Sequence, residues 1–207
     1  MARFERHRLL CIVPASDLAN TTWFALSGAR YHLNTLLGIL GRPALQRRWQ
    51  EDPQVSEEQR QSLARNANRF FWHLRAYFWE LTATFDHLLQ WANQVYGLNI
   101  TEGTVKWERV KYAKSKATLN QSEWCNKYGL LEAAWNSEWL FEVWQYRNFA
   151  HRDVPFMEWE YDEKGNLNPS LVCLPPARVG QQPYVPLTDH LRSYLGKMHQ
   201  LVSSIIS

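Results

Sequence analysis

Phe71-Trp72-His73-Leu74-Arg75-Ala76-Tyr77-Phe78-Trp79-Glu80-Leu81-Thr82-Ala83-Thr84-Phe85 sets apolar side chains at Phe71, Leu74, Phe78, Leu81 and Phe85, alternately three and four residues apart. That interval lines them along one stripe of an α-helix, and Leu88, Ala92 and Val95 continue it before Gly97. Pro53 and Ser56-Glu57-Glu58 supply a start and Gly97 a stop, so one long central helix is predicted over residues 56–97. Trp72 and Trp79 sit one residue round from the stripe, which makes the apolar face wide enough to touch more than one neighbour.

The neighbours follow from the same spacing. Ser16 or Asp17 starts a helix with Leu26, Ala29, Leu33, Leu36 and Leu40 on one side, stopped by Gly41-Arg42-Pro43, so residues 17–41 are predicted helical. Ser122 opens another, predicted over 122–151, whose row Leu130, Ala133, Ser137, Leu140 and Trp144 is continued by Arg147 and His151. Leu187, Leu191, Tyr194, Met198, Leu201 and Ile205 draw a last amphipathic helix over 187–205. Between these two the period changes to two: Met157, Trp159 and Tyr161 alternate with Glu158, Glu160 and Asp162 up to Lys164-Gly165-Asn166. A β-hairpin near 156–174 is expected there, with an irregular connector from Pro175-Pro176 to Pro186. The fold class is therefore mainly α: an antiparallel helical bundle with a small β-hairpin late in the chain, read as one domain over residues 1–207.

Composition agrees. The chain has 207 residues, 45% of them hydrophobic and 21% charged, which fits a folded globular protein and excludes a disordered chain or a coiled-coil rod. Eleven tryptophans, nine tyrosines and nine phenylalanines make its core or an interface rich in large flat rings. A net charge of +3 permits nucleic acid as partner without demanding it. Cys11, Cys125 and Cys173 are odd in number and far apart, which argues against a disulfide framework or a paired-cysteine zinc site and for a reducing compartment. The basic start Met1 to Arg8 is followed by an apolar run that ends at Pro14, too short for a leader, and no stretch approaches a membrane span. A soluble, cytoplasmic protein is expected, with no membrane, metal or cofactor called for.

Phosphate loops, dinucleotide glycine fingerprints, nucleophile elbows and paired zinc-protease histidines do not occur in the sequence. What remains is Tyr146-Arg147-Asn148-Phe149-Ala150-His151-Arg152-Asp153 at the end of a predicted helix. Arg147 and His151 are four residues apart and project from one face, one turn apart. A histidine titrating near neutrality takes a proton from a ribose 2′-hydroxyl, while a guanidinium binds the scissile phosphate and stabilises the charge building on it. The same residues also suit a plain helix end: His151 is favoured by the helix dipole, Asn148 can bond nearby backbone, and Arg147 can pair with Glu142 or Asp153.

On Arg147, Asn148 and His151, and on its layout of long helices with the motif late, the chain resembles the HEPN superfamily of prokaryotic toxin, defence and RNA-processing proteins. Three residues separate Arg147 from His151, where the usual HEPN ribonuclease interval is about four to six, and Asp153 stands where one nucleotidyltransferase-paired branch has Tyr. The resemblance implies a metal-independent endoribonuclease with Arg147, His151 and Asn148 as catalytic residues. It further implies a homodimer whose motif helices face one another, RNA as substrate, and a cognate protein partner or antitoxin.

A basic segment that Thr104 can cap, with Lys106, Arg109, Lys111, Lys114 and Lys116 around Trp107 and Tyr112, is a candidate track for a phosphate backbone, as is Arg152 beside the motif. Its alternative is a solvated helix face with the rings turned inward. His32, His73, His87, His190 and His199 are scattered and read as core or surface histidines, and Trp135, Trp139 and Trp144 as packing or a dimer interface. The rival to an RNA-directed protein is a non-catalytic helical interaction module, a subunit of a larger assembly.

Overall fold

The computed structural model describes residues 14–40, 56–152, 157–158, 172–173 and 187–207, with the backbone alone at 63, 149–152, 157–158 and 172–173. Among the described residues there are six helices: α1 (Ala15–Leu40), α2 (Glu57–Val95), α3 (Trp107–Tyr112), α4 (Gln121–Trp135), α5 (Glu138–Arg152) and α6 (Leu187–Ile206). Helix α2 is 39 residues long, about 58 Å at 1.5 Å per residue, and is the spine. Its start is a reciprocal cap: the Ser56 hydroxyl accepts from the Gln59 N–H at 3.3 Å and Gln59 Oε1 accepts from the Ser56 N–H at 2.8 Å. Leu74, Phe78, Leu81, Phe85, Leu88 and Ala92 are buried along its length, with Phe71 and Val95 half-buried at the ends.

Helix α1 runs antiparallel to α2, since Gly28 faces Glu80 while His32 faces His73. A Cβ on Gly28 would lie 3.0 Å from the Glu80 side chain, so the absence of one lets the helices approach. The predicted α1 stripe, Leu26 to Leu40, is buried throughout. On its other side α2 meets α5, where Phe78 stacks on Tyr146 with centroids 4.9 Å apart and Phe85 on Trp135, which precedes α5, at 5.9 Å. Helix α6 buries all six residues of its predicted stripe. The Tyr77 hydroxyl donates to the Leu191 carbonyl, and the Tyr194 hydroxyl donates to Glu142 Oε2 at 2.7 Å, which ties α6 to both α2 and α5. The buried apolar side chains form one contiguous cluster among the described residues.

Local structure differs from the sequence expectation in three places. The helix expected over 122–151 is two, α4 and α5, broken at Asn136 and Ser137. Asn136 and Ser137 are weak helix formers that satisfy backbone groups locally: the Ser137 hydroxyl donates to the Ala134 carbonyl, and its own carbonyl accepts the Phe141 N–H that opens α5. The row through Leu130 and Ala133 crosses that break, and in α4 both are exposed; Trp124, Tyr128, Leu131 and Ala134 are buried instead, because the large rings at Trp124 and Tyr128 choose the face. Thr104 does not cap the basic segment. Its hydroxyl donates to the Thr101 carbonyl at 2.7 Å, and α3 begins after Lys106 and lasts six residues, held by buried Trp107 and Val110. The third concerns the hairpin, of which Met157–Glu158 and Val172–Cys173 are described as an antiparallel pair with Met157 opposite Cys173. Two residues a side make no hairpin by themselves, and the rest of the expected 156–174 segment lies outside the described residues, as do the basic start and the proline connector.

Gly97 ends α2 at φ +58°, and a Cβ there would sit 2.2 Å from Thr118 Oγ1, which donates to the Gly97 carbonyl at 3.0 Å. Thr118 and Leu119 also donate their N–H groups to the Tyr96 carbonyl, so this one turn fixes the segment leading into α4. Gly97→Ala is expected to cost about 1–2 kcal/mol or more, from the left-handed backbone plus the clash. Gly196→Ala, in α6 with open space around it, is expected to gain up to about 1 kcal/mol. Thermal melts of the two variants should therefore move in opposite directions; equal shifts would show the turn is not built this way.

Candidate functional site

Helix α5 buries Leu140, Val143 and Tyr146, which places Trp144 and Arg147 at the edge of that face and leaves Asn148 exposed. Arg147 is half-buried. Its guanidinium lies 4.3 Å from the centre of the Trp79 ring of α2 and 5.3 Å from that of Trp144, one turn back on its own helix. Two indole faces thus hold the charge where water is partly excluded. Nη1 donates to Asn148 Oδ1 at 3.2 Å. Arg147 Nε, Trp144 Nε1 and His87 Nδ1 are buried and make no hydrogen bond, so these groups carry unused polar capacity where such capacity is costly.

Asp86, on α2, gathers the nearby charge. Burial pushes its carboxyl above the usual range, and the positive charges of Arg147, His87 and Lys106 pull it back. Through this one carboxylate the structure brings Lys106 and Arg147 into the same electrostatic neighbourhood, though they are far apart in sequence. Neither Asp86 nor His87 stood out in the sequence. Both sit on the edge of the α2 stripe, and only the packing of α5 onto α2 gives them a role.

The rest of the basic segment disperses. Arg109 donates to the Thr104 hydroxyl at 3.2 Å, Lys114 lies 4.6 Å over the Tyr128 ring, and Lys111 and Lys116 are exposed. Trp107 stacks between Tyr128 and Trp135 at 5.6 and 5.7 Å and is core, whereas Tyr112 is exposed. Trp135 and Trp144 are themselves partly buried in the bundle and meet edge-on at 6.3 Å. His151 and Arg152 lie on the last turn of α5, and their side chains are outside the described residues, as is Asp153. The helical register alone puts the His151 Cα one turn beyond Arg147, about 6 Å along the axis.

A second titratable pair links α1 and α2. His32 Nδ1 and His73 Nδ1 are 2.8 Å apart, with the Tyr31 ring edge-on to both. One ring donates and the other accepts, so at least one is neutral. Burial lowers both pKa values, assisted by the facing His73 at His32 and by Arg69 at His73. No group of three or more His, Cys, Asp or Glu suited to a metal ion occurs among the described residues, and no helix among them is long and apolar enough to cross a membrane. Set against family models, curated proteins and solved structures, the chain matches none.

Two predictions follow from these geometries. A double-mutant cycle on Trp79→Ala and Arg147→Ala should give a coupling of about 0.5–2 kcal/mol in unfolding free energy, the range for a partly desolvated cation–π contact; additive effects would mean the stack contributes nothing. For the histidine pair the sign follows from the lowered pKa values. The unfolded chain binds protons first, so stability is full above about pH 6.5, the value of a free imidazole, and falls as pH drops below it. Glu80 and Asp86, raised by burial, act in the opposite sense at lower pH. Melting temperatures between about pH 7.5 and 5.5 should thus fall less steeply in His73→Asn than in the wild type; identical slopes would remove the pair as the cause.

Proposed function

We propose that the chain is a HEPN-like helical protein that binds RNA and cleaves it without a metal, acting as a homodimer with Arg147, Asn148 and His151 of each copy lining a shared cleft. The observation that carries this reading is the guanidinium of Arg147, stacked on Trp79 and Trp144 with Asn148 beside it, which presents a preorganised positive charge at the bundle's edge. A charge fixed before the substrate arrives stabilises a developing phosphorane without reorganisation. The register of α5 puts His151 about 6 Å further along, a span suited to one phosphodiester. In the reaction His151 removes the 2′-hydroxyl proton and the 2′-oxygen attacks phosphorus. The 5′-oxygen then leaves with a proton from water, giving a cyclic phosphate and a free 5′-hydroxyl. The two-residue β-pair after α5 is, on this reading, the base of a small hairpin attached to a single domain, and the biological setting is a toxin or defence system in the cytoplasm with a cognate protein partner.

A second reading, a non-catalytic interaction module, is favoured by a different observation. Leu130 and Phe141 are 43% and 49% exposed, and a shallow groove of about 320 Å³ between α4 and α6 is lined by Leu130, Ala133, Trp139, Leu201 and Lys197. Apolar surface of this kind suits a protein contact.

Purified protein is expected to cut single-stranded RNA in the presence of a chelator, leaving a cyclic phosphate, and Arg147→Ala and His151→Ala are each expected to lower the rate by about two orders of magnitude or more. Circular dichroism of both variants checks that the fold survives. Light scattering of the wild type should show a dimer at micromolar concentration. RNA binding without cleavage would leave an RNA-binding module in place of the nuclease, a strict monomer would remove the shared cleft, and a failure both to bind and to cut RNA would pass the reading to the protein-interaction module.

A further inference from the structure

The outward face of α2 carries a feature that the catalytic reading does not use. From Gln59 to Trp79 the helix contains Arg60, Arg65, Arg69 and Arg75 and no aspartate or glutamate. Arg65, Arg69, Trp72, Ala76 and Trp79 succeed one another at four, three, four and three residues, so they lie along one line of the helix, on the side away from the buried stripe. Arg65, Arg69 and Arg75 are exposed. Trp72 is 79% exposed, and Trp79 remains 40% exposed although Arg147 already stacks on it. A tryptophan left this open on a helix costs hydrophobic free energy that burial would recover, and here the residue following it by one turn is the small Ala76, which leaves the indole face clear.

We propose that this line, Arg65-Arg69-Trp72-Ala76-Trp79, is the surface on which a single-stranded RNA lies, its phosphates against the arginines and its unpaired bases stacked on Trp72 and Trp79, leading the strand to Arg147. Interleaved cations and exposed indoles are what a single strand requires, since every base offers a π-face and every nucleotide a negative charge. A protein partner held by the tryptophans would have to be acidic along its whole length to match a helical stretch whose own twenty-one residues include no carboxylate; a nucleic acid has that charge pattern by its chemistry. The two indoles are seven residues apart, about 10.5 Å along the axis, well beyond the roughly 3.4 Å of one stacked step, so each takes its own base from a splayed strand. A duplex, with its bases paired, has nothing to offer them. Tyr31, 61% exposed and edge-on to His73, extends the ring-bearing surface across to α1. The inference rests on the RNA reading but not on cleavage, and it places the strand on α2 rather than along Lys106 to Lys116.

The test is anisotropy of a fluorescein-labelled twelve-nucleotide oligouridylate titrated with the full chain over a range of salt concentrations. Trp72→Ala should weaken binding about ten-fold at every salt, with the salt slope unchanged, and Trp72→Phe should restore most of it. The paired change Arg65→Ala with Arg69→Ala should lower the slope of log affinity against log salt by about 1.4, whereas Lys111→Ala with Lys116→Ala should leave it as it is. A twelve-base-pair duplex should bind Trp72→Ala and wild type alike. If the wild type binds and Trp72→Ala binds equally well, or the slope follows the lysine pair, the α2 surface is overturned while RNA binding stands. If no oligonucleotide binds even at low salt, both fall. Unchanged RNA affinity with an altered oligomeric state in Trp72→Ala, read by light scattering, would make this face a protein contact and likewise overturn the proposal. Binding that follows the arginines and Trp72 without any cleavage supports the surface and removes only the nuclease.

Discussion

Burial of the long apolar stripe of α2 is the constraint on which the rest of the structure depends. A 39-residue helix with Leu74, Phe78, Leu81, Phe85 and Leu88 in one row has to cover that row, because most helical stability in proteins comes from packing of such a face. The row is wide enough for two flanks. On one, α1 lies antiparallel and close, admitted by Gly28 against Glu80; on the other, α5 stacks Tyr146 on Phe78. Helix α6 closes the core with its own fully buried stripe and two tyrosine hydroxyl bonds. The described side chains of the candidate site, Arg147 with Trp79, Trp144 and Asp86, are placed as a consequence of where α2 puts its flanks.

How much of this was legible in the sequence varies with what decides each part. Helices α1, α2 and α6 are read correctly because long rows with three and four spacing leave only one face to bury, and Ser56 and Gly97 mark the ends of α2 through side-chain and backbone chemistry that is local. The break between α4 and α5 leaves no mark in the spacing, because the polar residues Asn136 and Ser137 sit inside a row that stays regular when counted across them. What distinguishes the two axes is the competition between Leu130 and Trp124 or Tyr128 for the inside, and the larger rings win. Thr104 departs from the capping expectation for a similar reason: a threonine three residues before the helix start has another local acceptor, and it takes the Thr101 carbonyl.

The site was legible only in part. Arg147 and Asn148 are visible as a polar pair at the end of an apolar row, but their partners come from elsewhere: Trp79 and Asp86 from α2, Lys106 from the loop before α3. No local pattern in the sequence links these positions. By spacing Trp79 widens the core face of α2, whereas in the fold it is the partly exposed ring on which the guanidinium rests. Lys106 looked like one member of a cationic run, and the fold separates it from Arg109 and Lys114, which turn to Thr104 and Tyr128.

The charge along α2 explains why Arg147 stands where it does. The helix is cationic from Arg60 to Arg75 and acquires its first carboxylates after that at Glu80 and Asp86. Arg147 lies at this boundary, stacked on Trp79, the last ring of the cationic line, and within the field of Asp86. The indoles hold the guanidinium without neutralising it, because a ring quadrupole has no net charge. Asp86 offsets part of that charge, yet it is itself half-buried with its ionised form disfavoured, and it shares its attraction among Arg147, His87 and Lys106. A full salt bridge would have satisfied the arginine and closed it to a phosphate. The arrangement of two aromatic faces and one shared carboxylate keeps the cation in place and leaves its charge only partly compensated, at the point where the cationic stretch of α2 ends.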